Sequence, residues 1–160
     1  MANEDQRHQR GAEAALNRVL ESAVGKRTWG AVSGLGSFVS LELGAPSQRQ
    51  SKVPHGEMHL WITNGSWDVI RNGQKLLRSD STREAITKGI NTLNGLVLLR
   101  ASFDIEAFEL RIEFSDSIHL IAQPSDNTTD EDWSLYFGDN EVFIVGPKPS
   151  LVRQKSDRAT

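Results

Sequence analysis

The predicted fold is built around the segment His55-Gly-Glu-Met-His-Leu-Trp-Ile-Thr-Asn-Gly-Ser-Trp-Asp-Val-Ile-Arg71. Apolar and polar residues alternate on both sides of Asn64-Gly65. This dipeptide between two alternating runs is a strong signal for a β-hairpin with a type I′ turn. The face that we expect toward the core comprises Met58, Leu60, Ile62, Trp67 and Val69, and the opposite face carries His59 and Trp61. The sequence therefore predicts a hairpin at the centre of a sheet.

Helical and strand signals flank this hairpin. An apolar stripe at helical spacing predicts a helix over 4–24. A capping box formed by Ser81 and Glu84, with a stop at Asn94-Gly95, predicts a second helix over 81–94. From residue 96 to 145 the pattern is mostly that of strands, most clearly over 108–114. The predicted fold is α+β: a mostly antiparallel twisted sheet of about eight to ten strands in meanders and hairpins, with an N-terminal helix and one central helix.

The 160 residues fit one domain with a single core. We expect this domain to span 1–147 and residues 148–160 to form a disordered basic tail. The absence of cysteine excludes a disulfide framework and a zinc–thiolate site. No apolar run approaches the roughly 18 residues that cross a bilayer, and no leader with a basic start and an apolar core opens the chain. The predicted location is the cytoplasm, without membrane contact.

The net charge of −3 conceals an uneven distribution. Residues 101–146 carry eleven acidic residues against one basic residue, Arg111. An acidic face of this kind speeds association with a basic protein surface, whereas it repels nucleic-acid phosphates. General solubility is the alternative explanation. The residues that we predict to contact a protein partner are Glu109, Glu113, Asp130, Glu131, Asp132, Trp133, Tyr136 and Asp139, with the two aromatic side chains as anchors.

A metal site is the second functional hypothesis. His55, Glu57 and His59 alternate, which places them on one face if all three lie in a strand. A His-x-His pair can ligate zinc or another divalent metal, and His119 on a later strand is a further candidate ligand. Pro54 and Gly56 argue against this arrangement, because they favour a loop position for His55; a polar sheet face is then the simpler interpretation.

Several short motifs carry a resemblance to a known family. They are Gly36-Ser-Phe-Val-Ser-Leu-Glu-Leu-Gly44, His59-Leu-Trp-Ile62 with Trp67, Leu93-Asn-Gly95, Asp132-Trp133 and Val145-Gly-Pro147. Over 36–147 the chain resembles a family of small uncharacterised bacterial α+β proteins and, more loosely, immunity proteins that neutralise toxins. The resemblance implies a fold and no catalytic residue.

Three functions follow as hypotheses. The first is a non-enzymatic protein-binding domain, such as an immunity- or antitoxin-like inhibitor, that engages a basic partner through the acidic C-terminal face. A nuclease-type toxin is a natural target, because its active site is basic. The second is a metal-binding enzyme or sensor, and the third is a subunit of a larger assembly that docks through its N-terminal helix. No nucleophile elbow of the Gly-x-Ser-x-Gly type is present, and neither a catalytic residue nor an organic cofactor is predicted.

Overall fold

A computed structural model describes residues 3–47, 53–126 and 129–156. The described residues form two α-helices, a 3-10 turn and eleven strands. The helices are α1 (Glu4–Ser22) and α2 (Arg83–Gly89), and the 3-10 turn is Ile90–Leu93. The strands are β1 (Thr28–Ser33), β2 (Val39–Leu43), β3 (Met58–Ile62), β4 (Ser66–Arg71), β5 (Gln74–Arg78), β6 (Leu98–Asp104), β7 (Glu109–Phe114), β8 (Ile118–Gln123), β9 (Trp133–Phe137), β10 (Glu141–Val145) and β11 (Leu151–Lys155).

The predicted α+β class, with antiparallel strands, an N-terminal helix and one central helix, is confirmed. The strands are divided between two sheets, however, where one sheet of fewer strands was predicted. The six-stranded sheet has the order β1-β2-β3-β9-β10-β11, and the five-stranded sheet has the order β5-β4-β8-β7-β6. The sheets contact each other through buried apolar side chains. Phe103 of β6 and Trp133 of β9, for example, make an edge-to-face contact with ring centroids 5.7 Å apart.

The hairpin predicted at Asn64-Gly65 is wrong, because β3 and β4 belong to different sheets. Neither turn residue has a positive φ, whereas a type I′ turn needs positive φ at both positions. The backbone N–H groups of Thr63, Asn64 and Gly65 all donate to the carbonyl oxygen of Asp132, at 3.0, 3.2 and 3.1 Å. These bonds stabilise a crossover between the sheets. Asn72-Gly73, with φ of 50° and 78°, does form a tight turn, and it joins β4 to β5.

Helix α1 covers the edge strands β6 and β11. Asn17 accepts a hydrogen bond from the Phe103 N–H (2.8 Å) and donates one to the Phe103 carbonyl oxygen (3.0 Å). Glu13 accepts a further bond from the Ile105 N–H at 2.6 Å. The backbone of the edge strand is therefore paired with helix side chains, which protects it from pairing with another chain.

Helix α2 and the 3-10 turn pack against β5 and β1. The predicted helix is confirmed, but its cap is Thr82, whose side chain accepts from the Ala85 N–H at 3.2 Å. Ser81 lies outside the helix and accepts from the Arg78 N–H instead. Among the described residues, neither α-helix combines the length and the apolar composition that crossing a bilayer requires.

The predicted disordered tail is wrong over 151–155, which form β11. This strand pairs with β10 along its whole length, and Leu151 is buried. Lys155 and Arg153 lie 2.9 and 3.4 Å from the carboxylate of Glu141. Because the strand buries little apolar surface, its composition resembles that of a tail. The domain extends past residue 147, and residues 157–160 lie outside the described part of the chain.

Candidate metal centre

The candidate site lies on the face of the six-stranded sheet that points away from the core. In β2, Leu41 and Leu43 face the core, so Glu42 between them faces outward. The register of β2 with β3 sets Glu42 directly opposite His59. Two neighbouring strands therefore bring a carboxylate and an imidazole together.

The loop after β2 returns His55 to the same place. Ser47 and His55 form an isolated antiparallel bridge, with N–H to carbonyl distances of 2.8 and 3.1 Å. This bridge holds His55 beside Ser47, four residues beyond the end of β2. As a result, the His55 ring lies beside the His59 ring, with centroids 5.4 Å apart.

The Glu42 carboxylate accepts hydrogen bonds from three donors. Its Oε1 lies 3.1 Å from His55 Nδ1 and 3.0 Å from His59 Nδ1. Its Oε2 accepts from the Gly56 N–H at 2.8 Å. The side chain of Glu42 is only 7% exposed and that of His59 10% exposed, whereas that of His55 is 41% exposed. A buried carboxylate is costly unless it is hydrogen-bonded, and these three bonds offset that cost.

Trp61 determines the tautomer of His59. The indole Nε1–H of Trp61 donates to His59 Nε2 at 2.6 Å. An indole nitrogen can only donate, so Nε2 is the acceptor, and the proton of the neutral ring is on Nδ1. This is the nitrogen that faces Glu42. Hydrogen bonds thus run from Trp61 through His59 to Glu42.

Two aromatic rings surround Trp61 on the same face. Phe38 and Tyr136 make edge-to-face contacts with it, at centroid distances of 5.9 and 5.4 Å. Tyr136 lies on β9, directly opposite His59 of β3. We refer to Phe38, Trp61 and Tyr136 as the outer aromatic patch.

The donor set fits a divalent metal ion. One ligand atom from each of Glu42, His55 and His59 lies within 4.8 Å of the other two. Zinc binds imidazole nitrogen and carboxylate oxygen at about 2.0–2.2 Å, which leaves neighbouring ligand atoms roughly 3 Å apart. The two distances from nitrogen to Glu42 Oε1 match this spacing. The hydrogen bond from Trp61 opposes metal binding by His59. A histidine that binds a metal through one ring nitrogen usually donates from the other, whereas Nε2 of His59 accepts from Trp61.

The structure brings together two of the four predicted metal ligands. Glu57 does not join His55 and His59, because the ladder with β2 begins at Met58 and the alternation does not extend to Glu57. Its carboxylate lies 3.0 Å from Lys26 Nζ and accepts from the Ala45 N–H. The hydrogen bond from Lys26 is the main cause of a lowered pKa at Glu57.

His119 lies on β8 in the other sheet, where it faces Glu113 and Ile70 across the neighbouring strands. The predicted set His55, Glu57, His59 and His119 is thus corrected to Glu42, His55 and His59. The outward position of Glu42 in β2 was visible in the alternation. Its pairing with His59 was not, because periodicity does not specify which strands are neighbours.

The predicted acidic face is dispersed over both sheets. Glu109 and Glu113 lie on the outer face of β7, and Glu109 is bonded to Gln123 at 2.9 Å and paired with Arg111. Asp130 and Glu131 precede β9, where the Glu131 carbonyl oxygen accepts from Asn64. Asp139 lies in the turn at the other end of β9. The eight residues do not form one surface.

Two of the predicted contact residues are in the interior. Trp133 and Asp132 are each 1% exposed, so neither can contact a partner on this surface. Asp132 Oδ1 accepts from the Ser125 N–H at 2.9 Å. Burial is the main cause of the raised pKa of Asp132. Tyr136 belongs to the outer aromatic patch, away from the acidic strand β7.

Comparisons of the chain with protein-family models, with curated proteins and with solved structures found no match. The resemblance to a family of small bacterial α+β proteins and to immunity proteins stays a prediction, as do the inhibitory role and the cytoplasmic location that the sequence suggested.

Proposed function

We propose that the protein binds a divalent metal ion, with zinc as the first candidate, through Glu42, His55 and His59. The convergence of their ligand atoms within 4.8 Å carries the proposal. Imidazole and carboxylate ligands suit zinc and also iron or other first-row ions. With both rings neutral, the ligands supply one negative charge, which partly compensates a divalent cation.

The number of ligands favours a site that keeps an open position. Structural zinc sites usually have four protein ligands, whereas catalytic sites have three and leave a position for water or substrate. Glu42 and His59 are nearly buried, and the more exposed His55 offers access from solvent. These features support a catalytic or sensing role over a purely structural one.

Zinc binding by purified protein tests the proposal directly. After loading with zinc and dialysis, we expect about one zinc per chain by elemental analysis in the wild type. His55→Ala should weaken binding by at least roughly tenfold, the effect expected for loss of a ligand or its supporting partner. His119→Ala is the matched control, because His119 lies on the other sheet. A wild type without zinc, or equal affinities for the two variants, would contradict the proposal.

A basic protein partner is the second candidate function, supported by a smaller acidic group than the one predicted. Asp104 lies directly opposite Glu109 at one end of the β6–β7 pair. Gly65 lies against the backbone carbonyls of both Gln123 and Asp132. Because the Gln123 side chain is bonded to Glu109, Glu131, which precedes Asp132, lies toward the same end of the β6–β7 pair. These acids support steering of a basic surface.

Charge reversal tests this second function. The double variant Asp104→Lys/Glu109→Lys should abolish capture of a basic partner from the source cell, such as a toxin. Asp139→Lys, in the turn at the far end of β9, is the control. Partner binding that is indifferent to salt concentration and to the double variant would exclude this function.

A further inference from the structure

We infer that metal binding at Glu42, His55 and His59 and the hydrogen bond between Trp61 and His59 exclude one another, so that an ion releases the Trp61 indole from His59. This inference rests on the proposed metal function and adds a conformational response to it. The centre would then respond to metal by rearranging the outer aromatic patch.

The two ring nitrogens of His59 have different partners. Nδ1 faces Glu42 Oε1 at 3.0 Å, and Nε2 accepts from Trp61 at 2.6 Å. An ion coordinated by Nδ1 takes the lone pair of that nitrogen, so the proton of the neutral ring must move to Nε2. Two N–H groups would then point at each other across 2.6 Å. The Trp61 side chain must therefore move away.

The surroundings of Trp61 make this movement observable. Its ring contacts Phe38 and Tyr136, and the strand pairing of β3 holds its backbone in place. A change of the indole rotamer would alter both ring contacts and the polarity around Trp61. Coupling of this kind is reciprocal: the bond that holds Trp61 on His59 also weakens metal binding.

Trp61→Phe tests whether the hydrogen bond to His59 competes with metal binding, because it retains an aromatic ring and removes the indole N–H. We expect this variant to bind zinc roughly two- to tenfold more tightly than the wild type, the factor that corresponds to one released hydrogen bond. Affinity is measured by competition with a chromophoric zinc chelator. Trp29→Phe is the matched control, because it also removes an indole N–H bond, the one to the Gly44 carbonyl oxygen at 2.7 Å.

Tryptophan fluorescence supplies a second readout. Zinc should shift the emission of the wild type and of Trp29→Phe, and the shift should disappear in Trp61→Phe. The wild-type titration tests the inference even if the variant fails to fold. Zinc binding without an emission shift, or an unchanged or weaker affinity of folded Trp61→Phe, overturns the inference and leaves the metal function standing. Absence of zinc binding in every variant overturns both.

Discussion

Glu42→Gln is the substitution for which the structure sets the clearest expectation. The glutamine side chain has nearly the same shape as glutamate, but it offers one acceptor oxygen and one NH2 group. With the oxygen toward the histidines, the NH2 group meets the Gly56 N–H. In the other orientation it meets the Nδ1–H of His59. If that proton moved to Nε2, the hydrogen bond that Nε2 accepts from Trp61 would be lost instead.

Either orientation of the new amide sets two donors against each other in a buried position and replaces charge-assisted hydrogen bonds by neutral ones. A hydrogen bond to a charged group contributes about 1.5–3 kcal/mol, and a buried donor without an acceptor costs about 1–3 kcal/mol. Since neither orientation loses all three bonds, we expect Glu42→Gln to lower the free energy of unfolding by about 2–4 kcal/mol.

Urea denaturation at neutral pH, followed by circular dichroism, measures this change as a shift in midpoint at constant slope. Glu57→Gln is the control, because Glu57 is an exposed carboxylate paired with Lys26. It should change stability by less than about 1 kcal/mol, as is typical of exposed ion pairs. If Glu42→Gln is no more destabilising than Glu57→Gln, the hydrogen bonds of Glu42 do not stabilise the fold, contrary to this prediction.

Three further predictions concern other parts of the fold. Burial raises the pKa of Asp132 above its ordinary 3.8, so the folded protein favours the protonated carboxyl. The stabilisation that Asp132 provides is therefore greatest below pH 3.8 and is lost as the pH rises through the raised pKa. In urea titrations, the free energy of unfolding of Asp132→Asn should therefore increase relative to that of the wild type from acidic to neutral pH. A difference between the two proteins that stays constant with pH would contradict this prediction. Asn17→Ala removes both hydrogen bonds to Phe103 and should lower the free energy of unfolding by about 1–2 kcal/mol. It should also increase self-association, measured by light scattering, because the edge strand loses its cover. Arg18→Ala, at the exposed neighbouring position, should change neither quantity. Truncation after Ser150 removes β11, and we expect it to lower the free energy of unfolding by at least about 2 kcal/mol, as for loss of a buried leucine. Truncation after Ser156 is the control and should not lower it. Equal melting temperatures of the two truncated proteins would show that β11 is dispensable.

The two Asn-Gly turns show how far local patterns reach. Asn72-Gly73 forms the hairpin that its sequence predicts, with positive φ at both positions. Asn64-Gly65 has the same two residues between equally regular strands, but Asp132 accepts hydrogen bonds from its backbone and the chain crosses to the other sheet. The difference lies in a residue that is remote in sequence. Turn propensity alone therefore cannot distinguish the two.

Local sequence patterns were enough to define the helices, most of the strands and the faces of those strands. Periodicity gives this information because burial of one face imposes a period of two or 3.6 residues. Long-range packing selected which strands pair, since pairing depends on register and on burial against distant residues. Long-range packing therefore brings Glu42 close to His55 and His59 and places His119 on the other sheet. It also places the acidic residues, which are close together in the sequence, on both sheets.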